Sequence, residues 1–418
     1  MSQLFYKRDD CRLCGSTAVE VVVPLSPMPI ATPNFAVPDA DKGSPVFRTP
    51  VPLDLYLCHD CGLLQVLHVG NPEVQYRNYV YTTSSSLGLP EHFREYAEEV
   101  NTAVGLPDNP LVVEIGSNDG TLLRAFKERG CRVVGVDPAR DIGARARAAG
   151  IETVSDFFTA DVARRIEAEH GAADLVIANN MFANVDELDD LVIGVRDLIT
   201  PGGVFVFETQ YGADVITKNL LDTVYHEHLS YFTVKPLALY FARLNMEVID
   251  VKPIWTKGGS IRTFVQCKDG PRPAAQVVRH MIAEETRLGL YDPRFYASYG
   301  ERLSALRRKL GDLVDGQAKR GKPVAGYGVS VGTTTLLSQF GLTAKIDFLV
   351  DDDPTKASSL VGPDYEIPVR PPEALYEDDP GAVIVFAWRY AEPIMKKHRK
   401  YRDSGGKFVI PLPDMTIK

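Results

Sequence analysis

Residues 225–232 read "YHEHLSYF", in which two of the chain's eight histidines bracket a glutamate behind a tyrosine. Imidazole is neutral and basic near pH 7, and Glu227 or Tyr225 could orient His228 or stabilise the charge it gains, so the stretch has the composition of an acid–base site. A His-x-His pair is also a metal pattern, and a buried corner with both imidazoles bonded to backbone is a third reading. Cysteines bear on the choice. Cys11 and Cys14 in "CRLCG", and Cys58 and Cys61 in "CHDCG", make two Cys-x-x-Cys knuckles, each followed by glycine. In a reducing compartment such pairs read as metal ligands before disulfides, with redox or free dithiols as the alternative. Four thiolates suit tetrahedral zinc with every position filled, hence a structural ion. The metal then has a home away from the histidines, beside which no third ligand is evident. His226 better fits the structural corner and His228 the base.

A second chemical signal is "VVEIGSNDGTLL". It places Glu114, Gly116 and Gly120 at a strand-to-helix turn, with Asp137 after the next strand, where an acid can hold a ribose diol. The loop departs from the G-x-G-x-x-G pattern that seats a pyrophosphate in NAD-type domains. It carries Asn118 and Asp119 instead, and an anionic loop repels pyrophosphate but suits a cationic amino-acid ligand. S-adenosylmethionine, with a sulfonium, an ammonium and a ribose, has that chemistry. Further on, "SDFFT" offers Asp156 as an acceptor and Phe157 as an apolar wall to an adenine. "ANNMFANV", containing Asn179, is placed to line the methionine end.

These residues need a scaffold. With 418 residues, the chain exceeds one hydrophobic core, and 45% hydrophobic with 24% charged residues is ordinary for a globular protein. A net charge of -9 argues against a nucleic-acid surface. The apolar runs are strand-sized, so no membrane span is expected. The N-terminus turns acidic where a signal peptide needs its apolar stretch, and a cytoplasmic location is expected. The fold class read from the pattern is α/β in three parts. A small zinc-ribbon-like domain covers 1–75. A doubly wound domain covers 76–270, including a tyrosine-rich segment "YRNYVYTTSSS" and a helix before its first strand, and a closing pair of strands at its end. A helical connection and second Rossmann-like domain cover 271–418. That last domain has its own glycine loop, Gly326, Gly328 and Gly332, followed by "VDDDP". Three threonines open its helix, and their hydroxyls together with the helix amides can grip a phosphate; a degenerate structural loop and an NAD site are the alternatives. In "KGGSIR", Lys257 or Arg262 could reach a substrate phosphate or carboxylate, or simply face solvent.

A methyl donor beside a histidine raises the possibility of a carbon acceptor. Carbon becomes nucleophilic when a proton next to a ketone is removed and the enolate is held, which needs a base and a hydrogen-bond donor. The order of parts, "CRLCG", "CHDCG", "YRNYVYTTSSS", "EIGSNDG", "YHEHLSYF", "GGSIR" and a terminal Rossmann-like domain, resembles the sugar C-methyltransferases of antibiotic deoxysugar pathways, most of all those acting at carbon 3 of dTDP-sugars. The resemblance implies a dTDP-4-keto-deoxysugar as substrate, methylated at carbon 3, with carbon 5 or O- and N-methylation as alternatives. It implies that His228 is the base and that Tyr225 and Glu227 line its pocket. It also brings a tyrosine of the preceding segment to the sugar: Tyr79, with Tyr76 and Tyr81 as alternatives. The C-terminal domain would help bind the thymidine diphosphate. Its loop lacks a lysine that many relatives carry, so phosphate contacts do not transfer residue by residue. Oligomeric state is not legible.

Overall fold

The computed structural model describes residues 4–30, 42–77, 79, 82–85 and 88–418. Tyr81 lies outside the described residues. The central sheet has seven strands in the order Met246–Ile254, Ser260–Cys267, Ile199–Gln210, Ala173–Asn179, Leu111–Ile115, Arg132–Val136 and Thr153–Val154. The last five run parallel, and Ser260–Cys267 pairs antiparallel with both of its neighbours. Strand Leu111–Ile115 is buried along its whole length, as a central strand covered on both faces must be. The strand order reverses beside it, and ligands of doubly wound sheets sit at the carboxyl ends of strands around that point. Gly116, Asp137, Asn179 and Gln210 all stand at such ends.

Helices cover both faces. Leu89–Val104 precedes the sheet and ends on Gly105, whose φ of 65° closes the helix in the left-handed region. Phe182 packs 4.4 Å from Phe207 and 5.3 Å from Phe232 between ring centroids. That cluster anchors the "ANNMFANV" turn against the end of "YHEHLSYF", so the two candidate site segments share one core.

The C-terminal part is a second seven-stranded sheet, in the order Ser359–Val361, Glu366–Arg370, Phe348–Val350, Val324–Tyr327, Ala382–Val385, Phe408–Ile410 and Thr416–Ile417. The helix Pro293–Ala318 leads into it with Leu303, Leu306 and Leu310 buried in one stripe. Among the described residues no helix is long and apolar enough to cross a membrane.

The N-terminal part is not a free-standing bead. Its four-stranded sheet, Ser230–Tyr231, Leu64–Val66, Leu55–Cys58 and Val19–Val23, takes its edge strand from beyond residue 75. Arg12, inside the first cysteine knuckle, is buried and donates to the carbonyls of Leu229 and Val66 at 2.8 Å each and to Gln65 Oε1 at 3.1 Å. It also meets Asp186 at 3.1 Å. Leu229 is held further by its own amide, which donates to Ala183 at 2.8 Å. From the other side, Thr335 Oγ1 donates to the carbonyl of Val224 at 3.0 Å, and Arg389 pairs with Asp222 at 2.5 Å. All three parts therefore converge on residues 222–231.

Candidate active site

A cavity of about 1390 Å³ opens where the three parts meet. Single-ligand pockets run to roughly 1,000 Å³, so this one has room for a donor and an acceptor together. Its lining includes Gly116, Asp137 and Phe157 at one end, Tyr225, Glu227 and His228 in the middle, and Ser330, Lys356 and Arg389 from the C-terminal domain.

At the donor end the loop after Leu111–Ile115 turns on Gly116, with φ 71°; a Cβ there would lie 2.9 Å from Met181. Asp137 accepts from the amides of Asn118 at 2.8 Å and Ala139 at 2.9 Å, which fixes the carboxylate at the cavity wall. Asn118 lines the cavity, but its side chain accepts from the amide of Thr83 at 2.9 Å, and Asp119 likewise accepts from Ser84 at 3.0 Å. These two side chains hold residues 83–84 over the loop rather than standing free for a ligand. Gly120 starts the helix Thr121–Lys127 outside the cavity lining, with φ 73°. Asp156 also stands outside the lining; it accepts from the amide of Phe157 at 2.9 Å and pairs with Arg77 at 3.4 Å. Arg77, which the sequence reading did not single out, covers the Phe157 ring at 4.6 Å. Among the described residues no hydrogen-bond partner meets the buried Glu114 Oε2, Ser117 Oγ, or Oδ1 and Nδ2 of Asn179. Burial and the nearby Asp137 and Asp119 push Glu114 well above the usual carboxylate range. A polar, cationic ligand would satisfy these atoms, so the residues fit S-adenosylmethionine.

In the middle of the cavity the histidine has one defined tautomer. His228 Nδ1–H donates to the carbonyl of Thr223 at 2.7 Å, so Nε2 carries the lone pair, and Tyr225 donates its hydroxyl to it at 3.0 Å. The two rings lie 4.1 Å apart. Burial pushes the His228 pKa down to about 3, Lys257 adds to the fall, and the Thr223 contact opposes it. Thr223 and Tyr225 thus orient the imidazole, and Glu227 does not. Glu227 is buried and hydrogen-bonded by Tyr79; desolvation raises its pKa to about 7 against the pull of Lys257 and that bond. Tyr76 lines the same region, its ring 6.0 Å from that of Tyr79. His226 is turned out of the cavity, with Nε2–H donating to the carbonyl of Pro52 at 3.1 Å.

The two cations of "KGGSIR" part ways. Arg262 is buried between Glu208, at 2.9 Å, and Glu99, at 2.7 Å, with its guanidinium 4.0 Å from the Tyr96 ring centre. Glu208 is shared with His92 at 3.1 Å and Thr256 at 2.9 Å. Arg262 is therefore committed to a buried network and does not reach toward a substrate. Lys257 lines the cavity. In the C-terminal loop, two of the three threonine hydroxyls expected to grip phosphate are used inside the protein. Thr333 Oγ1 donates to Gly328 O at 2.9 Å and Thr335 Oγ1 to Val224. The cavity instead meets Ser330, Val331 and Gly332 at the start of the helix Val331–Phe340.

The cysteines form a separate centre. Cys11 Sγ lies 3.6 Å from Cys61 Sγ, Cys14 Sγ lies 3.6 Å from Cys58 Sγ, and all four fall within 4.8 Å of one another. Zinc–sulfur bonds of about 2.3 Å at tetrahedral angles place sulfurs about 3.8 Å apart, which this set matches. Gly15 and Gly62, with φ of 71° and 83°, close the two knuckles.

Comparison with known proteins settles the family. Residues 255–413 match a family described as "C-methyltransferase C-terminal domain", residues 90–251 a "Methyltransferase domain", and residues 11–76 a "Putative zinc binding domain". The chain is 34% identical to the C-methyltransferase NovU of Streptomyces niveus over 410 residues, 98% of this chain and 96% of that one. The chain belongs to the C-methyltransferase family. It is an S-adenosylmethionine-dependent C-methyltransferase. Solved structures match part of the chain at lower similarity. PH0226 of Pyrococcus horikoshii covers 47% of this chain and 96% of its own, at 16% identity and a TM-score of 0.37. An S-adenosylmethionine-dependent methyltransferase of Clostridium acetobutylicum covers 43% of this chain and 92% of its own, at 12% identity and a TM-score of 0.34.

For this C-methyltransferase, metal analysis of the purified protein is expected to show one zinc per chain. Cys61→Ser should lose it together with the cooperative unfolding of the N-terminal part. Wild-type protein without bound metal but with unchanged unfolding would contradict the four-thiolate site.

Proposed function

We propose that this C-methyltransferase methylates a dTDP-4-keto-deoxysugar at the carbon beside its ketone, carbon 3 in the first instance and carbon 5 in the second. The observation that carries the reading is the His228 tautomer: an unprotonated Nε2 in a cavity continuous with the donor site. S-adenosylmethionine, when bound, supplies a methyl group made electrophilic by the sulfonium. Nε2 takes the proton from the sugar carbon, and the Thr223 carbonyl keeps Nδ1 protonated and accepts from the imidazolium that forms. Tyr225 leaves Nε2 and offers its hydroxyl to the enolate oxygen, with Tyr79 and Tyr76 on the same wall. Burial and the neighbouring Glu227 raise the pKa of Tyr225 well above its ordinary value, so the hydroxyl stays a donor. Alignment of the carbon with the methyl supplies much of the remaining rate. The diphosphate end would lie toward Ser330, Lys356 and Arg389. The zinc is structural, and the setting is antibiotic deoxysugar biosynthesis in the cytoplasm. An O- or N-methyltransferase using His228 to deprotonate a hydroxyl or amine is the second reading.

Incubation with a dTDP-4-keto-6-deoxysugar in deuterated water separates the two. Deuterium should enter the carbon beside the ketone without S-adenosylmethionine, and His228→Asn should slow this by about 10²–10⁴-fold, the usual range for a general base. Normal exchange and turnover in that variant would remove His228 from the role.

The pH profile follows from two depressed or raised groups. His228, with a pKa lowered to about 3, remains an unprotonated base through the whole neutral range. Glu227, raised to about 7, is protonated below that value, which leaves the cavity more positive and opposes the imidazolium. The rate is expected to fall with acid through a limb near pH 7, and Glu227→Gln should abolish the limb. A limb that persists in Glu227→Gln would assign it elsewhere.

A further inference from the structure

We propose that Lys257 is a further catalytic residue, the cation that meets the ketone oxygen as it becomes an enolate; the proposal rests on the keto-sugar reading above. The tyrosines on the cavity wall are neutral donors and can share the oxygen's charge only through hydrogen bonds. Lys257 is a charged side chain in the same cavity as Tyr225, Glu227 and His228, and among the described residues no hydrogen-bond or ion-pair partner meets its Nζ. Its neighbours Trp255 and Thr256 line the same wall of the cavity, and the pull of its charge on both Glu227 and His228 agrees with a position at the acceptor end.

The backbone is built to hold it there. Lys257 has φ 54° and ψ 20°, in the left-handed region that a side chain with a Cβ rarely adopts. Such conformations persist where the surroundings over-determine them and cluster at functional sites. Here Arg389, itself paired with Asp222, donates to the Lys257 carbonyl at 2.9 Å. Gly259 follows with φ 152°, where a Cβ would fall 2.0 Å from Asp214, so the turn passes where only glycine fits. The preceding Thr256 is tied to Glu208 at 2.9 Å. The protein thus clamps a strained lysine at one end and leaves its ammonium group uncommitted. Its side chain is exposed to the open cavity; desolvation by the surrounding protein, with Arg389 adding to it, lowers its pKa to about 8 against the attraction of Glu227 and Glu208, so it remains mostly a cation at neutral pH.

In the step itself, the carbon–hydrogen bond breaks and the proton goes to His228 Nε2. The electron pair moves into the carbon–carbon bond while the carbonyl pair settles on oxygen beside the Lys257 ammonium, which donates a hydrogen bond and keeps its proton. The pair then returns as the new carbon–carbon bond forms and the sulfur–methyl bond breaks toward sulfur.

A phosphate-binding lysine would have the same surroundings, so the test separates the two. Wild type, Lys257→Met and Lys257→Arg are compared for deuterium wash-in to a dTDP-4-keto-6-deoxysugar without methyl donor, and for calorimetric binding of thymidine diphosphate and of S-adenosylmethionine. Lys257→Met is expected to slow wash-in by about 10²–10³-fold, the loss typical of one oxyanion donor, with both binding affinities unchanged. Lys257→Arg should recover part of the rate. Unchanged wash-in in Lys257→Met, or a thymidine diphosphate affinity that falls as much as the wash-in rate, would overturn the assignment. Loss of S-adenosylmethionine binding in both variants would make the residue structural and overturn it too. Absence of wash-in and methylation in wild type across a panel of keto-sugars would instead bring down the keto-sugar reading, and this proposal with it.

Discussion

A single hydrogen bond, from His228 Nδ1–H to the carbonyl of Thr223, decides which atom of the site is basic. Both ends of that bond lie in residues 222–231, a short segment with little regular structure of its own. Its conformation is imposed from three directions. The knuckle residue Arg12 and the amide of Val66 hold the Leu229 carbonyl, Ala183 of the central domain takes the Leu229 amide, and Thr335 and Arg389 of the C-terminal domain hold Val224 and Asp222. A buried guanidinium is costly unless every donor is used, and Arg12 uses its donors on two carbonyls, an amide oxygen and a carboxylate. A cysteine cluster far from this loop in sequence thereby acts on the segment that carries the proposed base.

The electrostatics follow from burial. Desolvation keeps His228 neutral and raises the Glu227 carboxylate toward the neutral range, while the tyrosines around them stay protonated. In the proposed step, Glu227 as an anion and Lys257 as a cation stand in the same cavity as the charges that would develop. Preorganised groups of this kind lower a barrier without reorganising at the moment of reaction. Arg262 and Glu208 are also charged and close by, but they neutralise one another in the core and contribute position rather than chemistry.

Much of this was legible in the sequence because its signals are local. Cysteines at fixed spacing, glycines at a strand end and an acid after the next strand carry their meaning within a few residues of chain. The strand–helix alternation predicted a doubly wound domain and a second Rossmann-like one, and two sheets rich in parallel strands are present. What sequence could not show are pairings made across the fold. His92, Glu208 and Arg262 are far apart in the chain and meet only because a helix, a central strand and a closing strand share one edge. The same limit applies to the threonines after Gly332. Their composition suggested a phosphate grip, but two of the hydroxyls are used on Gly328 and Val224. Lys257 stood out only as a charge at a strand end; its left-handed backbone is a property of the turn, visible once Arg389 and Asp214 are in place.

The proposed base function depends on the protonation of one ring, which nitrogen-15 NMR of histidine-labelled protein reads directly. The His228 resonances are expected to show a neutral ring protonated at Nδ1, with Nε2 bare, unchanged from pH 8 down to pH 5. A ring protonated at Nε2, or one that becomes an imidazolium near pH 6.5, would contradict it.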